Sequence, residues 1–185
     1  GAYGTGADPV IDGSDLQTGW IAEGGFYTKT LIVDTTETPG NVSVNGTMLN
    51  FNEAGALASG EYEIETNGKV NIYTDPSGKT VRVSRRYFGV HGSAVSYVKV
   101  ENLHIRQASM HGISFENSHN ITVSNCVIEM CGGAFIYGTS IHAGNGIEFG
   151  NSCTDCTAEN CTIRNIFDSG VTAQTYSSNE SASDI

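Results

Sequence analysis

The chain has 185 residues, which is enough for one domain with a sizeable core, or for one domain and a small satellite. Its formal net charge of −11 argues against nucleic acid as a partner, because binding phosphates requires a basic surface. Every apolar run is far shorter than the about 20 residues of a membrane span, so we expect none. Glycine is abundant and few windows keep helical spacing, which together favour an all-β fold.

Residues 1–19 contain a short apolar pair, Val10-Ile11, followed by an Asp12-Gly13 turn. The chain thus begins inside a strand-turn-strand unit. At the other end, residues 177–185 form a polar loop where a further strand would be expected. We therefore predict a piece of a longer chain, truncated at its C-terminal end, whose targeting signal lies elsewhere.

Residues 20–84 indicate short strands separated by turns. The predicted strands lie at residues 31–33, 42–44, 62–64, 70–72 and 81–83. The clearest feature is a hairpin in which Asn67-Gly68 joins two alternating arms, since Asn-Gly is a preferred two-residue turn. We predict that this strand-rich insertion packs on the rest of the chain.

Residues 85–185 contain an internal repeat. One asparagine recurs after 23 and then 35 residues, at Asn102, Asn125 and Asn160. A glycine that precedes an apolar residue recurs as well, at Gly89, Gly112, Gly146 and Gly170. A period near 23 is typical of a stacked solenoid, here with at least four rungs. The glycine follows the asparagine by 10 residues in the first and third copies but by 21 in the second, so eleven extra residues lie between Glu129 and His142.

Both columns have a structural interpretation. The glycine positions leave no room for a side chain. Asparagine tolerates a left-handed bend, and stacked asparagines can bond one another in a ladder at a corner that faces the core. Apolar residues at matching positions, such as Ile105, Ile128 and Ile163, are expected to stack inward from rung to rung.

Five cysteines fall within the repeat. Cys126 and Cys161 share one inward repeat position, which predicts buried small side chains. Cys153 and Cys156 leave three interpretations open: a disulfide, a redox pair or half of a metal site. No second cysteine pair or close histidine supplies the other half, which disfavours zinc.

Together, the V-x-V-x-N-x-x-I segments, the glycine strands and the corner asparagines resemble the right-handed parallel β-helix of pectate-lyase-like proteins. The resemblance is good over residues 88–176 and looser over residues 2–13. It implies an all-β solenoid of parallel sheets with an N-terminal β-rich insertion. Residues 1–19 would form an early rung, residues 20–84 the insertion and residues 85–185 the remaining rungs. No residue set matches the catalytic signature of one member family, so the resemblance assigns no catalytic residue.

In such folds substrates lie along the outer face of one sheet, which here would be the face of the glycine strands. The outward column of these strands is His91, Ser114, Glu148 and Thr172. The column just before the glycines is Phe88, His111, Asn145 and Ser169. The insertion after Glu129 is expected to overhang this face and to offer its aromatic residues, Phe135 and Tyr137, to sugar rings.

From these positions we select two sets of candidate site residues. The catalytic candidates are His142, Glu148, His111, His91 and Asp168. The substrate-binding candidates are Arg85, Arg86, Tyr137 and Asn145. A lyase would neutralise a uronate carboxylate with arginine or a cation and remove a proton with a base such as histidine. A hydrolase would need two carboxylates across the scissile bond, and Glu148 and Asp168 are the pair that the repeat brings together.

The sequence therefore predicts a secreted protein, extracellular or on the cell surface, that binds or cleaves an acidic polysaccharide. If it is an enzyme, a polysaccharide lyase is favoured over a glycoside hydrolase. No cofactor or metal site is identified; calcium would suit the acidity, but no ligand spacing indicates it. The alternative is a non-catalytic structural or adhesive solenoid of a surface or filament, whose rungs would associate end to end.

Overall fold

The structure, a computed structural model, describes residues 6–34, 38–53, 56–136 and 138–175, and these ranges contain strands but no helix. Up to residue 84 the strands are β1 (Val10–Asp12), β2 (Ser14–Leu16), β3 (Ile21–Glu23), β4 (Phe26–Thr30), β5 (Val42–Val44), β6 (Thr47–Met48), β7 (Asn50–Phe51), β8 (Glu61–Ile64), β9 (Lys69–Ile72) and β10 (Val81–Ser84). From residue 88 onward they are β11 (Phe88–Ser93), β12 (Ser96–Glu101), β13 (His104–Arg106), β14 (His111–Glu116), β15 (His119–Ser124), β16 (Val127–Glu129), β17 (Ala134–Phe135), β18 (His142–Ala143), β19 (Ile147–Gly150), β20 (Thr157–Glu159), β21 (Thr162–Arg164) and β22 (Val171–Gln174).

Three parallel sheets form a solenoid in which each complete rung contributes one strand to every sheet. Sheet 1 has the order β11-β14-β19-β22, sheet 2 the order β12-β15-β20 and sheet 3 the order β1-β13-β16-β21. Residues at matching repeat positions pair directly: Ile113 lies opposite Ile147, and Ile105 opposite Ile128. The predicted all-β solenoid of parallel sheets is therefore confirmed.

The solenoid core lies between the three sheets, where each rung buries its apolar side chains against the next. Ile105 and Ile128 are fully buried, and Ile163 packs against the same cluster. Cys126 is buried, as predicted, whereas Cys161 is only half-buried. All five cysteines are free thiols, so the disulfide interpretation of Cys153-x-x-Cys156 does not describe this structure.

Left-handed residues form the bends between the sheets. The corner asparagines predicted from the repeat adopt φ angles of 54°, 52° and 52°, at Asn102, Asn125 and Asn160. The expectation that their side chains face the core is wrong, because Asn125 and Asn160 are exposed. Backbone N–H groups link the rungs at this corner instead: Asn125 donates to the carbonyl of Glu159 at 3.2 Å.

The glycine column is a steric requirement. A Cβ atom on Gly112 would lie 2.5 Å from Cγ2 of Ile128 and 2.7 Å from the carbonyl oxygen of Gly146. Gly170 differs, because the nearest atom of the described residues to a Cβ there would be 3.7 Å away. The prediction that these positions leave no room for a side chain is thus confirmed for Gly112 and not for Gly170.

The segment after β1 forms a second, sandwich-like unit from two sheets, β2-β10-β5-β6 and β3-β4-β9-β8-β7. Side chains of both sheets share one core, including Val42 and Val83 from the first and Tyr62 and Ile72 from the second. The hairpin predicted at Asn67-Gly68 is β8–β9. The strand predicted at residues 31–33 does not form, because the ladder with β9 ends at Leu31, whose N–H donates to the carbonyl of Gly68.

The inserted segment after Glu129 joins the two units. It forms the short antiparallel pair β17–β18. Phe135, predicted to be available to a ligand, is instead 7% exposed and belongs to the sandwich core. In return, Phe51 of the sandwich lies 5.5 Å from the ring of Phe167 in the solenoid. The insertion therefore acts first as a structural connection, and only part of it borders the outer face of sheet 1.

Candidate active site

A cleft of 680 Å³ lies between the outer face of sheet 1 and the inserted segment, and we call it the histidine cleft. Its principal lining residues are Tyr87, Phe88, His111, His142, Asn145 and Asp168. The column predicted on the face of sheet 1 has the expected register: His91 pairs with Ser114, Ser114 with Glu148, and Glu148 with Thr172. The repeat thus brings the predicted residues to one face, and the inserted segment turns that face into a cleft.

His111 is buried and held in one tautomer. The backbone N–H of Asn145 donates to Nδ1 at 3.0 Å, so the proton of the neutral ring lies on Nε2. Nε2 is 3.5 Å from Oε1 of Glu148. Burial lowers the pKa of His111, and His91 adds to this effect, whereas the carboxylates of Glu148 and Asp168 oppose it. The net shift is downward, so His111 is neutral at pH 7.

Glu148 supports the cleft from behind. Its side chain is 1% exposed, and Oε2 accepts hydrogen bonds from Asn145 Nδ2 at 2.7 Å and Gln174 Nε2 at 2.9 Å. A carboxylate sealed in this way cannot touch a substrate without rearrangement. In this geometry Glu148 holds the side chain of Asn145 and places a negative charge beside His111.

His142 has the opposite tautomer. Its Nδ1 lies 2.7 Å from the carbonyl oxygen of Gly133, which can only accept, so Nδ1 donates and the lone pair of the neutral ring is on Nε2. The ring packs 3.8 Å from the centre of Phe135 and 4.4 Å from that of Phe51. Burial lowers the pKa of His142, partly offset by the Gly133 hydrogen bond and by the charge of Glu53. His142 is therefore a neutral base at pH 7.

The other two catalytic candidates lie at the edge of this arrangement. His91 is exposed and stacks on Phe88, with ring centres 4.3 Å apart, and does not itself line the cleft. Asp168 lines the cleft and accepts the backbone N–H of Gly144 at 2.9 Å. Asp168 also acts on His111 through its charge. Because Asp168 is exposed and Glu148 is buried, the two carboxylates differ in access to a ligand.

Of the three predicted substrate-binding residues that the structure describes, only Asn145 lines the cleft. Its side chain is already engaged, because Nδ2 bonds to Glu148 and Oδ1 accepts the N–H of Ser169. Arg85 is buried, and its Nη1 donates to the carbonyl of Ile32 at 2.8 Å. Arg86 pairs with Asp15 at 2.6 Å. Tyr137 lies outside the described residues. The structure therefore does not bring the two predicted arginines into the cleft.

Two features of the cleft are absent from the sequence-based prediction. Gln174 holds Glu148, and its signal was available: it is two residues beyond Thr172 on the same outward face, in register with Gly150. The second feature is the charge of the lining. The described lining residues include Glu116 and Asp168 but no lysine or arginine, which no local sequence pattern reveals.

Neither a metal cluster nor a membrane helix is found in the part of the chain that the structure describes. No three His, Cys, Asp or Glu side chains within it are grouped so that they could hold a metal ion, and calcium binding stays an untested prediction. No helix there is long and apolar enough to cross a membrane.

Comparison with known proteins bears on the fold. A structural match is found to the tailspike protein gp49 from Pseudomonas phage LKA1, with 17% sequence identity and a TM-score of 0.40. The match covers 91% of this chain and 31% of the tailspike, so the chain spans less than a third of that protein. No match is found among curated proteins. The family described as "Right handed beta helix region" matches residues 40–184, which is most of the chain. The stacked parallel sheets and this match together show that the chain belongs to the right-handed β-helix family.

Proposed function

We propose that the protein is a carbohydrate-active enzyme, acting outside the cell or at the cell surface, that cleaves a polysaccharide in the histidine cleft. The observation that carries the proposal is the pair of neutral histidines, His111 and His142, whose tautomers are fixed by hydrogen bonds in one cleft. Tyr87 and Phe88 line the same cleft and offer aromatic surface to sugar rings.

β-Elimination is the chemistry that this lining supports better than hydrolysis. His142 would be the base, because its Nε2 lone pair is free to take a proton from the sugar ring while Nδ1 is anchored. The Tyr87 hydroxyl, which donates to the carbonyl of Phe135 at 3.2 Å, would protonate the departing oxygen. A hydrolase would need two accessible carboxylates about 5–9.5 Å apart. Glu148 is sealed, which leaves Glu116 and Asp168 as the carboxylate pair of the described lining, and hydrolysis by that pair would give the two neutral histidines no role.

The substrate class that fits this lining is a uronic-acid polysaccharide whose carboxyl groups are esterified. Removal of the proton next to a carboxyl group requires that the charge on that group be neutralised. A free uronate in the cleft would meet the like charges of Glu116 and Asp168 and, among the described lining residues, no lysine or arginine. An ester carries no charge, so the proposal narrows the acidic polysaccharide of the sequence analysis to its neutral, esterified form.

The test is incubation with methyl-esterified polygalacturonan, the de-esterified polymer and a neutral glucan. Ultraviolet absorbance reports the unsaturated product of elimination, and a reducing-end assay reports every cleavage. We expect absorbance with the esterified polymer and a slower reaction with the de-esterified one. Reducing ends without absorbance would show a hydrolase and overturn the elimination proposal. No product on any polymer would overturn the enzyme proposal and favour the adhesive solenoid.

His142→Gln is the variant that tests the assignment of the base. We expect kcat/KM to fall by about 100-fold or more, the usual contribution of general acid–base catalysis. His119→Gln is a matched control, because His119 is exposed on sheet 2 and lies outside the cleft. The wild-type rate should decline on acidification below pH 6.5, as His142 is protonated at its lowered pKa. Full activity in His142→Gln would contradict the mechanism.

A further inference from the structure

A second cleft, of 730 Å³, lies between the outer face of sheet 3 and residues 46–50 of the sandwich, and we call it the arginine groove. Its lining includes Arg106, Glu129 and Arg164 from three successive rungs, with Met48, Met130 and Ile166 as apolar surface. None of these residues lines the histidine cleft. The groove is therefore a separate site to which the proposed function assigns nothing.

The charges around the groove are positive on balance, although the whole chain carries −11. Asp12 pairs with Arg106 at 2.9 Å and with Arg82 at 3.5 Å. Glu129 pairs with Arg164 at 2.7 Å, and its other oxygen lies 2.8 Å from Nε2 of His104. Three arginines thus face two carboxylates, which leaves one net positive charge before any protonation of His104.

The two arginines that line the groove keep donors for a ligand. Arg164 contacts Glu129 through Nε, its side chain is 58% exposed, and its terminal nitrogens have no hydrogen-bond partner among the described residues. Arg106 uses Nε and Nη2 on Asp12, which leaves Nη1. The ion pairs therefore orient both guanidinium groups without consuming them. A pre-oriented planar fork is the arrangement that binds carboxylate or sulfate oxygens best.

The spacing of the arginines indicates a chain rather than a single ion. Arg106 and Arg164 are aligned along the solenoid axis with Glu129 between them. Two strand spacings separate them, which is about 9–10 Å. Each guanidinium group pairs with the carboxylate one strand before it, Arg106 with Asp12 and Arg164 with Glu129, so the two groups stay apart as their strands do. A polymer with repeated anionic groups can contact both, and its sugar rings would cover Met48 and Met130 between the charges.

We propose that the arginine groove binds a polysaccharide that carries carboxylate or sulfate groups, independently of cleavage in the histidine cleft. Calorimetric titration of the full chain with polygalacturonate oligomers, a sulfated glycan, a neutral glucan and duplex DNA tests this. Either or both anionic glycans should bind, and the one that binds more tightly identifies the anionic group. Their affinity should fall as salt rises. The proposal would be overturned if the neutral glucan bound with the same affinity as both anionic glycans, or if DNA bound more tightly than either of them.

Variants separate ligand binding from structural support. Arg164→Gln should weaken binding of the anionic glycan about tenfold, the loss of one strong charged contact. Glu129→Gln should strengthen it severalfold, because it removes the competing negative charge from the groove while the glutamine oxygen can still accept the hydrogen bond of Arg164 Nε. Arg86→Gln is the matched control, since that arginine pairs with Asp15 outside the groove. An Arg106→Gln, Arg164→Gln double variant that binds like the wild type would overturn the proposal, as would weaker binding in Glu129→Gln.

The two proposals can fail separately. His142→Gln should leave binding in the arginine groove unchanged, because the two sites share no lining residue. Arg164→Gln should leave cleavage of short esterified oligomers unchanged for the same reason. Loss of both functions in either variant, with the fold intact by circular dichroism, would show that the two sites are one and would contradict an independent groove.

Discussion

At the scale of single residues, Asp12 and Glu129 show how sheet 3 uses ionised side chains. Burial would raise the pKa of Glu129, but hydrogen bonds and charges from Arg164 and His104 lower it on balance. Burial is likewise outweighed at Asp12, whose pKa is lowered by Ser14 and by the neighbouring arginines. Both carboxylates are therefore more acidic in the folded state than in the unfolded chain, where their pKa values are ordinary.

This difference makes a prediction about acid stability. A lowered pKa in the folded state stabilises the protein above the ordinary value, 4.5 for glutamate, and the gain is lost as pH falls through the folded value. Glu129→Gln should therefore reduce the free energy of unfolding at pH 7 by about 1–2 kcal/mol. This value lies between the usual cost of losing an exposed ion pair and that of breaking a buried one. Below pH 4.5 the difference from wild type should shrink. Urea unfolding across this pH range measures it.

Glu159→Gln is the control for this prediction, because Glu159 is exposed in β20. Its free energy of unfolding should stay within about 0.5 kcal/mol of the wild type at pH 7. A Glu129→Gln protein as stable as the wild type at pH 7, or one whose deficit does not shrink as pH falls below 4.5, would contradict the ionic account of sheet 3.

At the scale of the strand, the glycine column determines how closely successive rungs approach. The position of Gly112 in β14 is enclosed by Ile128 and by the backbone of Gly146. A side chain there would have to push the next rung away or displace an inward isoleucine. The same repeat position at Gly170 is open, which makes the column its own control.

Gly112→Ala should reduce the free energy of unfolding by about 1–3 kcal/mol, the usual cost of overpacking a close-packed site. Gly170→Ala should be neutral to within about 0.5 kcal/mol, because no atom of the described residues lies closer than 3.7 Å to its new methyl group. Guanidinium denaturation of both variants decides the matter. Equal costs at the two positions would show that backbone conformation, rather than contact between rungs, explains the glycines.

The strand scale also shows how far sequence periodicity reaches. The pairs His91–Ser114 and Ser114–Glu148 follow from counting the repeat, because parallel strands in a solenoid pair residues at equal offsets. For the corner asparagines, the repeat predicts the backbone conformation correctly but not the burial of the side chains. The repeat spacing predicts where the chain bends. It does not predict whether the side chain at a left-handed bend is buried, because that depends on the packing of the neighbouring rungs.

At the scale of the whole molecule, the inserted segment couples the solenoid to the sandwich. Phe135 fills the sandwich core, while its carbonyl accepts the Tyr87 hydroxyl beside the histidine cleft. The backbone N–H of Asn41 donates to the carbonyl of Gly132 at 3.0 Å, close to the start of the insertion. The shape of the histidine cleft therefore depends on the sandwich core, although none of the described core residues lines the cleft.

Phe135→Ala should reduce the free energy of unfolding by about 3–5 kcal/mol, as for other buried phenylalanines, and should also lower cleavage, because His142 packs against this ring. Ile136→Ala is the matched control for stability. The Ile136 side chain, adjacent in sequence to Phe135, is 41% exposed, so its truncation should reduce the free energy of unfolding by less than about 1 kcal/mol. Denaturant unfolding measures the stability of both. A Phe135→Ala protein of normal stability would contradict the structural role of the insertion.

The sequence alone determined the solenoid: its parallel sheets, the register of sheet 1 and the column in which Glu148 lies. These features depend on contacts between neighbouring rungs at a constant sequence offset, so the same residue pattern recurs several times in one chain. The tertiary structure alone decided that Glu148 is sealed, that Arg85 is buried and that Phe135 belongs to the sandwich. Each of these depends on contact between segments far apart in the chain that occur once. A contact that is not repeated along the chain leaves no periodic pattern in the sequence. It becomes visible only in the structure, where the two units pack together.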